Sequence, residues 1–183
     1  MSATLLHFTM SLDGCIADEH GSIDWAFGFG PAVLPEADRI RTRATVVVGG
    51  RRGYDVDPAA QPYGGDWNGT VMVLSHRPAP PDADPATVFL DASIDDALRA
   101  AHARAEGGDV LLLSADLARQ ALDADLVDEI LLHVVPVALG RGIRLFDGLA
   151  APRRFRTALT AQSGEVTTLL LRRAADGDCA SLG

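Results

Sequence analysis

Apolar and polar positions along this chain fall into two alternating rhythms. "TLLHFTM" (4–10) and "ATVVVGG" (44–50) are compact apolar runs bounded by turn residues, the pattern of strands covered on both faces. Similar runs recur as "TVMVLS" (70–75), "TVFL" (87–90), "DVLLLS" (109–114) and "VDEILLHVVPV" (127–137). Helical stretches lie between them. Residues 35–43 open on Pro35 and Glu36 and close on Arg39, Arg41 and Arg43, charges that complement a helix dipole. Ser93 caps a second helix, with Asp96 three residues on, close to a capping box. Ile94, Ala97, Leu98, Ala101 and Ala105 form its apolar stripe, and Gly107-Gly108 stop it. "ADLARQALDA" (115–124) is a third helix. "CIAD", between the turn signals Asp13-Gly14 and His20-Gly21, reads as a short extended piece. Residues 55–69 and 76–85, rich in Pro, Gly and Asp, read as loops. Near the end, "RFRTALTA" and "EVTTLLLRR" flank Ser163-Gly164, the signal of an antiparallel hairpin.

Strands alternating with helices, then a closing hairpin, define an α/β protein. The expected architecture is a mixed, mainly parallel central sheet with helices on both faces and a C-terminal antiparallel hairpin. No internal repeat or dividing linker is present, so residues 1–175 read as one domain and 176–183 as a flexible tail.

Composition narrows the function more than the fold. The 183 residues are 48% hydrophobic and 22% charged, ordinary for a globular domain with a substantial core. A net charge of −9 argues against nucleic acid as a partner, so any anion site must be local. No apolar run approaches the roughly 18–20 residues that span a bilayer. The N-terminus lacks the basic start of a signal peptide, and Cys15 and Cys179 read as free thiols, which together suggest a cytoplasmic protein.

In parallel sheets ligands bind at the carboxyl ends of the strands. Three such ends carry polar or flexible residues: Gly49–Tyr54, Ser75–Arg77 and Ser114–Asp116. Arg51 and Arg52 could grip a phosphate while the adjacent glycines let it approach the backbone. Ser75, His76 and Arg77 offer a second basic cluster, and two clusters suit a dinucleotide. Adjacent arginines are as readily solvated surface, and neither GxGxxG nor GxxxxGK[ST] is present. The histidines at 7, 20, 76, 102 and 133 do not pair at metal-ligand spacings, so no metal is expected, and His133 reads as an ordinary strand residue. No serine sits in a G-x-S-x-G context.

"SLDGCIAD…GSIDW", "VVVGGRRGY", "VMVLSHRP" and above all "LVDEILLHVVPVALGRGIRLF" resemble the dihydrofolate reductase-like superfamily. The branch they are most similar to is the reductase (C-terminal) domain of the bacterial riboflavin biosynthesis protein RibD, over about residues 3 to 173. The resemblance implies a three-layer dihydrofolate reductase-like fold and NADPH as cofactor. It implies that Gly50, Arg51, Arg52 and Gly53 lie against the cofactor phosphates, and Ser75, His76 and Arg77 near the adenosine ribose and its 2′-phosphate. Ile16, Ala17 and Trp25 would border the nicotinamide and substrate cleft, and Ser114, Ala115, Asp116 and Leu117 would form the pyrophosphate joint. Two departures stand out. Gly53 replaces the family's usual hydroxyl residue, and Leu113-Ser114-Ala115 replace its glycine run, with Asp116 placed to repel a diphosphate.

The resemblance implies hydride transfer to a small heterocycle, a pterin or a pyrimidine-type riboflavin precursor. Asp13 and Asp24 are the candidate carboxylates for orienting or protonating it, although each sits beside a turn and equally suits a turn hydrogen bond. Glu36 and Asp38 lie in the region of the helix carboxylate of true dihydrofolate reductases without a clear match, which argues against folate. The alternative reading is a non-catalytic relative with weakened or lost cofactor binding, acting as a ligand-binding or interaction protein. A flavin enzyme is a third. A homodimer is implied by resemblance; "ILLHVVPVAL" would then contribute a surface, or else be the centre of the sheet.

Overall fold

The computed structural model describes residues 2–29 and 35–174, without the side chain of Glu36. The tail expected at 176–183, and Cys179 within it, lie outside the described residues. Strands β1 (Thr4–Met10), β3 (Ala44–Gly50), β4 (Thr70–Leu74), β5 (Val88–Leu90), β6 (Asp109–Leu112) and β7 (Glu129–Val134) run parallel. The hairpin β9 (Phe155–Ser163) and β10 (Val166–Arg173) joins antiparallel, giving one sheet in the order β5-β4-β3-β6-β1-β7-β10-β9. Strands β2 (Cys15–Ala17) and β8 (Ile143–Arg144) form a separate small ladder.

Alternation along each strand divides the core into two layers. Leu6, Val46, Val48, Val110, Leu112, Ile130 and Leu132 face helices α3 (Ile94–Arg104) and α4 (Ala115–Asp123). Those helices bury Ala97, Leu98 and Ala101, and Leu117, Ala118 and Leu122, respectively. On the other face Leu5, Val47, Leu111 and Leu131 meet Ala37 and Ile40 of α1 (Pro35–Arg43) and the indole of Trp67. Ser93 caps α3 by accepting from the Asp96 amide at 3.2 Å. The three-layer α/β architecture expected from the sequence is therefore present.

One reading changes and one alternative is decided. Residues 51–56, read as the polar strand end Gly49–Tyr54 and the start of the 55–69 loop, form a short helix α2 (Arg51–Val56) directly after β3. It is too brief for a periodic pattern, and its side-chain brace is the i,i+4 pair Arg51–Asp55 at 2.6 Å. Of the two alternatives for "ILLHVVPVAL", its strand residues form the centre of the sheet: β7 lies between β1 and β10, with Ile130 and Leu131 fully buried. Among the described residues no helix is long and apolar enough to cross a membrane.

Candidate active site

Because β3, β4, β6 and β1 are parallel, Gly50, Ser75, Leu113 and Ser11 all emerge at one edge of the sheet. There the two basic clusters meet through a single carboxylate. Asp55 Oδ1 accepts from Arg51 Nε at 2.6 Å, and its Oδ2 accepts from Arg77 at 2.5 Å. These two guanidiniums, Arg51 first, hold the Asp55 carboxyl below the usual carboxylate range. Arg51 also donates to the Pro78 carbonyl at 2.8 Å and lies over the rings of Tyr54 and Phe89. A side chain so engaged braces α2, and a phosphate at Arg51 would meet a guanidinium already bonded to Asp55. Arg52 is exposed and makes no ion pair among the described residues. Ser75 makes a turn, its hydroxyl donating to the Arg77 carbonyl and accepting from the Arg77 amide. His76 lies at the surface, 2.7 Å from Asp91.

Asp13 and Asp24 are not brought to the cleft described below. The Asp13 carboxylate accepts from Ser11 Oγ at 2.7 Å and from the amides of Leu139 and Gly140 at 3.0 and 2.8 Å. The hydrogen bond from Ser11, then that from Leu139, lowers its pKa to about 2. Asp13 thus clamps two loops together, and these hydrogen bonds favour its ionised form. Asp24 is exposed at the start of a short 3-10 turn, and Trp25 donates its indole N–H to the Ser22 carbonyl at 3.1 Å. Ile16 packs on the core beneath α3 and α4, while Ala17 is buried opposite Ile143.

A cleft of about 340 Å³ opens between α1 and the ends of β1, β6 and β7. Phe8, Ala37 and Leu113 give it apolar walls, and Asp38 and Arg41, paired at 2.7 Å, stand among its polar lining. His7, Tyr63 and His133 also line it, and the fold joins them in one hydrogen-bond chain. Tyr63 OH lies 2.8 Å from His7 Nδ1, His7 Nε2 lies 3.0 Å from His133 Nε2, and His133 Nδ1 lies 2.7 Å from Thr168 Oγ1. Burial, then the neighbouring His133, pushes the His7 pKa down to about 3; burial lowers His133 as well and raises Tyr63 to about 12. Sequence spacing missed this group because His7 and His133 come from different strands. The available signal was alternation: β1 and β7 are neighbours, and both histidines fall on the face that carries Leu5 and Leu131.

Residues 4–169 match the family model of the RibD C-terminal domain. The chain belongs to that family. It is 32% identical over 176 residues to YwjB, an uncharacterized protein of Bacillus subtilis (strain 168), covering 93% of this chain and 98% of YwjB. A protein of Shewanella sp. PV-4 assigned to riboflavin biosynthesis superposes with a TM-score of 0.81 at 23% identity, covering 94% of this chain and 99% of that one. A Thermotoga maritima diaminohydroxyphosphoribosylaminopyrimidine deaminase/5-amino-6-(5-phosphoribosylamino)uracil reductase superposes with a TM-score of 0.70 at 17% identity. The match covers 94% of this chain and 57% of the Thermotoga chain.

As a RibD C-terminal domain, the chain has a reductase-like fold. Ser114 caps α4, its hydroxyl accepting from the Leu117 amide at 3.5 Å. The same oxygen would lie 3.0 Å from a Cβ at position 50, so the glycine of β3 and the serine of the joint share one close contact. Leu113, 37% exposed, lines the cleft. Asp116 is paired with Arg119 at 3.1 Å and with Gln120 at 2.8 Å, so its charge is compensated. Leu117 is a core residue whose part at the joint is its backbone, and Ala115 is half-buried. A Cβ at Gly53 would meet nothing within 4 Å.

Proposed function

We propose that the chain is an NADPH-dependent reductase acting on a small, uncharged heterocycle of pterin or pyrimidine type. The observation that carries this reading is the convergence, at one sheet edge, of an anion-seeking surface and a separate cleft. Arg52, Arg77 and the backbone around Gly50 suit cofactor phosphates, and the cleft beside Leu113 suits a small ring. NADPH, when bound, supplies hydride. The protein's own part is to orient the acceptor, exclude water and hydrogen-bond its polar edge. Phe8, Ala37 and Leu113 would cover the ring faces, and Tyr63 and Thr9 would meet its polar atoms. Such a reductase would work in the cytoplasm on a small-molecule substrate.

The second reading, a relative that has lost cofactor binding, rests on Leu113 and Ser114 at the joint. Calorimetric titration with NADPH and NADH separates the two. Micromolar binding that prefers NADPH, followed by loss of reduced-nicotinamide absorbance with a pterin or pyrimidine acceptor, supports the reductase. No heat at millimolar cofactor supports the second reading.

A further inference from the structure

Four polar side chains from four separate segments form one continuous chain beneath the cleft: Tyr63, His7, His133 and Thr168. The contacts run from 2.7 to 3.0 Å, and Thr168 at the inner end is fully buried. Among the described residues no group of three or more His, Cys, Asp or Glu is placed to hold a metal. The hydrogen bonds of the two imidazoles run to each other and to the Tyr63 and Thr168 hydroxyls.

The direction of this chain is not fixed by its geometry. Between the two Nε2 atoms there is room for one proton, so one imidazole donates and the other accepts. If His7 donates, its Nδ1 accepts from the Tyr63 hydroxyl, whose oxygen can then accept from a ligand. His133 Nδ1 in that case carries a proton and donates to Thr168. If His133 donates from Nε2, every step reverses: Thr168 donates to His133 Nδ1, His7 Nδ1–H donates to the Tyr63 oxygen, and the phenol hydrogen turns to the ligand. Both arrangements are neutral and differ only in direction.

Tyr63 is also held at a cost. Its backbone is left-handed, φ 56° and ψ 31°, which for a residue with a Cβ costs about 1–3 kcal/mol. A glycine there would relieve the strain, as Gly64 and Gly65 do beside it, but would remove the hydroxyl from the cleft.

We propose that Tyr63, backed by His7, His133 and Thr168, is a recognition element whose hydrogen-bond direction reverses to suit an uncharged ligand with either a donor or an acceptor. A charged ligand is disfavoured because Asp38 and Arg41, the charged groups lining the cleft, neutralise each other. The depressed histidine and raised tyrosine pKa values agree, since each shift favours the uncharged form. This extends the reductase reading to what the substrate end of its cleft recognises, yet it needs no cofactor.

The test is therefore run without NADPH, so loss of cofactor binding leaves it intact. Nitrogen-15 NMR of histidine-labelled protein reports which ring nitrogen carries the proton. Acetophenone, which only accepts, should bind and move the proton to His7 Nδ1 and His133 Nε2. Indole, which only donates, should bind and move it to His7 Nε2 and His133 Nδ1. Tyr63→Phe should weaken both ligands roughly fivefold, the loss of one neutral hydrogen bond, and abolish the opposite tautomer responses. Thr168→Val, distant from the ligand, should change the ratio of the two affinities. The proposal is overturned if neither probe binds, if both leave the same tautomer pattern, if either histidine is an imidazolium near neutral pH, or if benzoate binds as well as acetophenone. An unchanged affinity ratio in Thr168→Val also overturns it.

Discussion

Asp55 decides how much of the basic surface is available to a ligand. It already neutralises Arg51 and Arg77, so a cofactor 2′-phosphate near Arg77 must compete with a carboxylate. Asp55→Asn is expected to raise NADPH affinity about tenfold relative to NADH, the worth of roughly one regained charge-assisted hydrogen bond, in paired calorimetric titrations. NADH should change little. The joint offers a second residue-scale test: Leu113→Gly with Ser114→Gly is expected to tighten NADPH binding if side-chain bulk there limits the pyrophosphate. Loss of the α4 cap to glycine should cost only a few tenths of a kcal/mol, so a thermal melt can verify that the variant remains folded. Unchanged affinity would move the limitation elsewhere. At this scale the sequence could locate the strand-end residues, but it could not show that Asp55 ties the two arginines together, because that contact needs β3 and β4 side by side.

Strands and helices were legible where their patterns are long. The bounds of β1, α1 and β3 match the apolar and polar rhythm because each sits against a continuous core layer that rewards one periodicity. Helix α2 was not legible, being six residues in a Gly- and Arg-rich stretch. Nor was the Tyr63 chain, whose histidines are 126 residues apart and whose tyrosine sits in a Pro- and Gly-rich loop. Asp13 showed itself only as a residue beside a turn, since its amide partners lie in another loop. The buried histidine pair makes β1 and β7 acid-sensitive. The folded-state pKa of His7 is depressed from 6.5 to about 3, so the unfolded chain binds the extra proton between those values. Stability should therefore fall as pH drops from about 6.5 toward 3, by up to ~1.4 kcal/mol per pH unit for this proton, with His133 adding in the same direction. His7→Gln should lack that share of the slope in urea melts run across the window. Parallel slopes for the two proteins would show that His7 is protonated equally in both states.

Over the whole molecule, a charge of −9 opposes the approach of an anionic cofactor that its local cations would hold. Added salt shortens the Debye length to about 10 Å at 0.1 M and screens the distant repulsion first. Stopped-flow association of NADPH should consequently speed up from low to moderate ionic strength; a slowing would mean that attraction by the basic edge governs the approach. The order of the sheet also has a consequence for how the chain is made. β1 is synthesised first, yet its partners are β6 and β7, which begin at residues 109 and 129. β3 and β4 can pair early, whereas the slot between β3 and β1 stays open until β6 is inserted. During translation at about 5–20 residues per second, β1 waits several seconds with both hydrogen-bonding edges bare. The nascent N-terminal half thus carries an apolar strand that only later-made residues can cover, and at that stage it depends on whatever shields it at the ribosome.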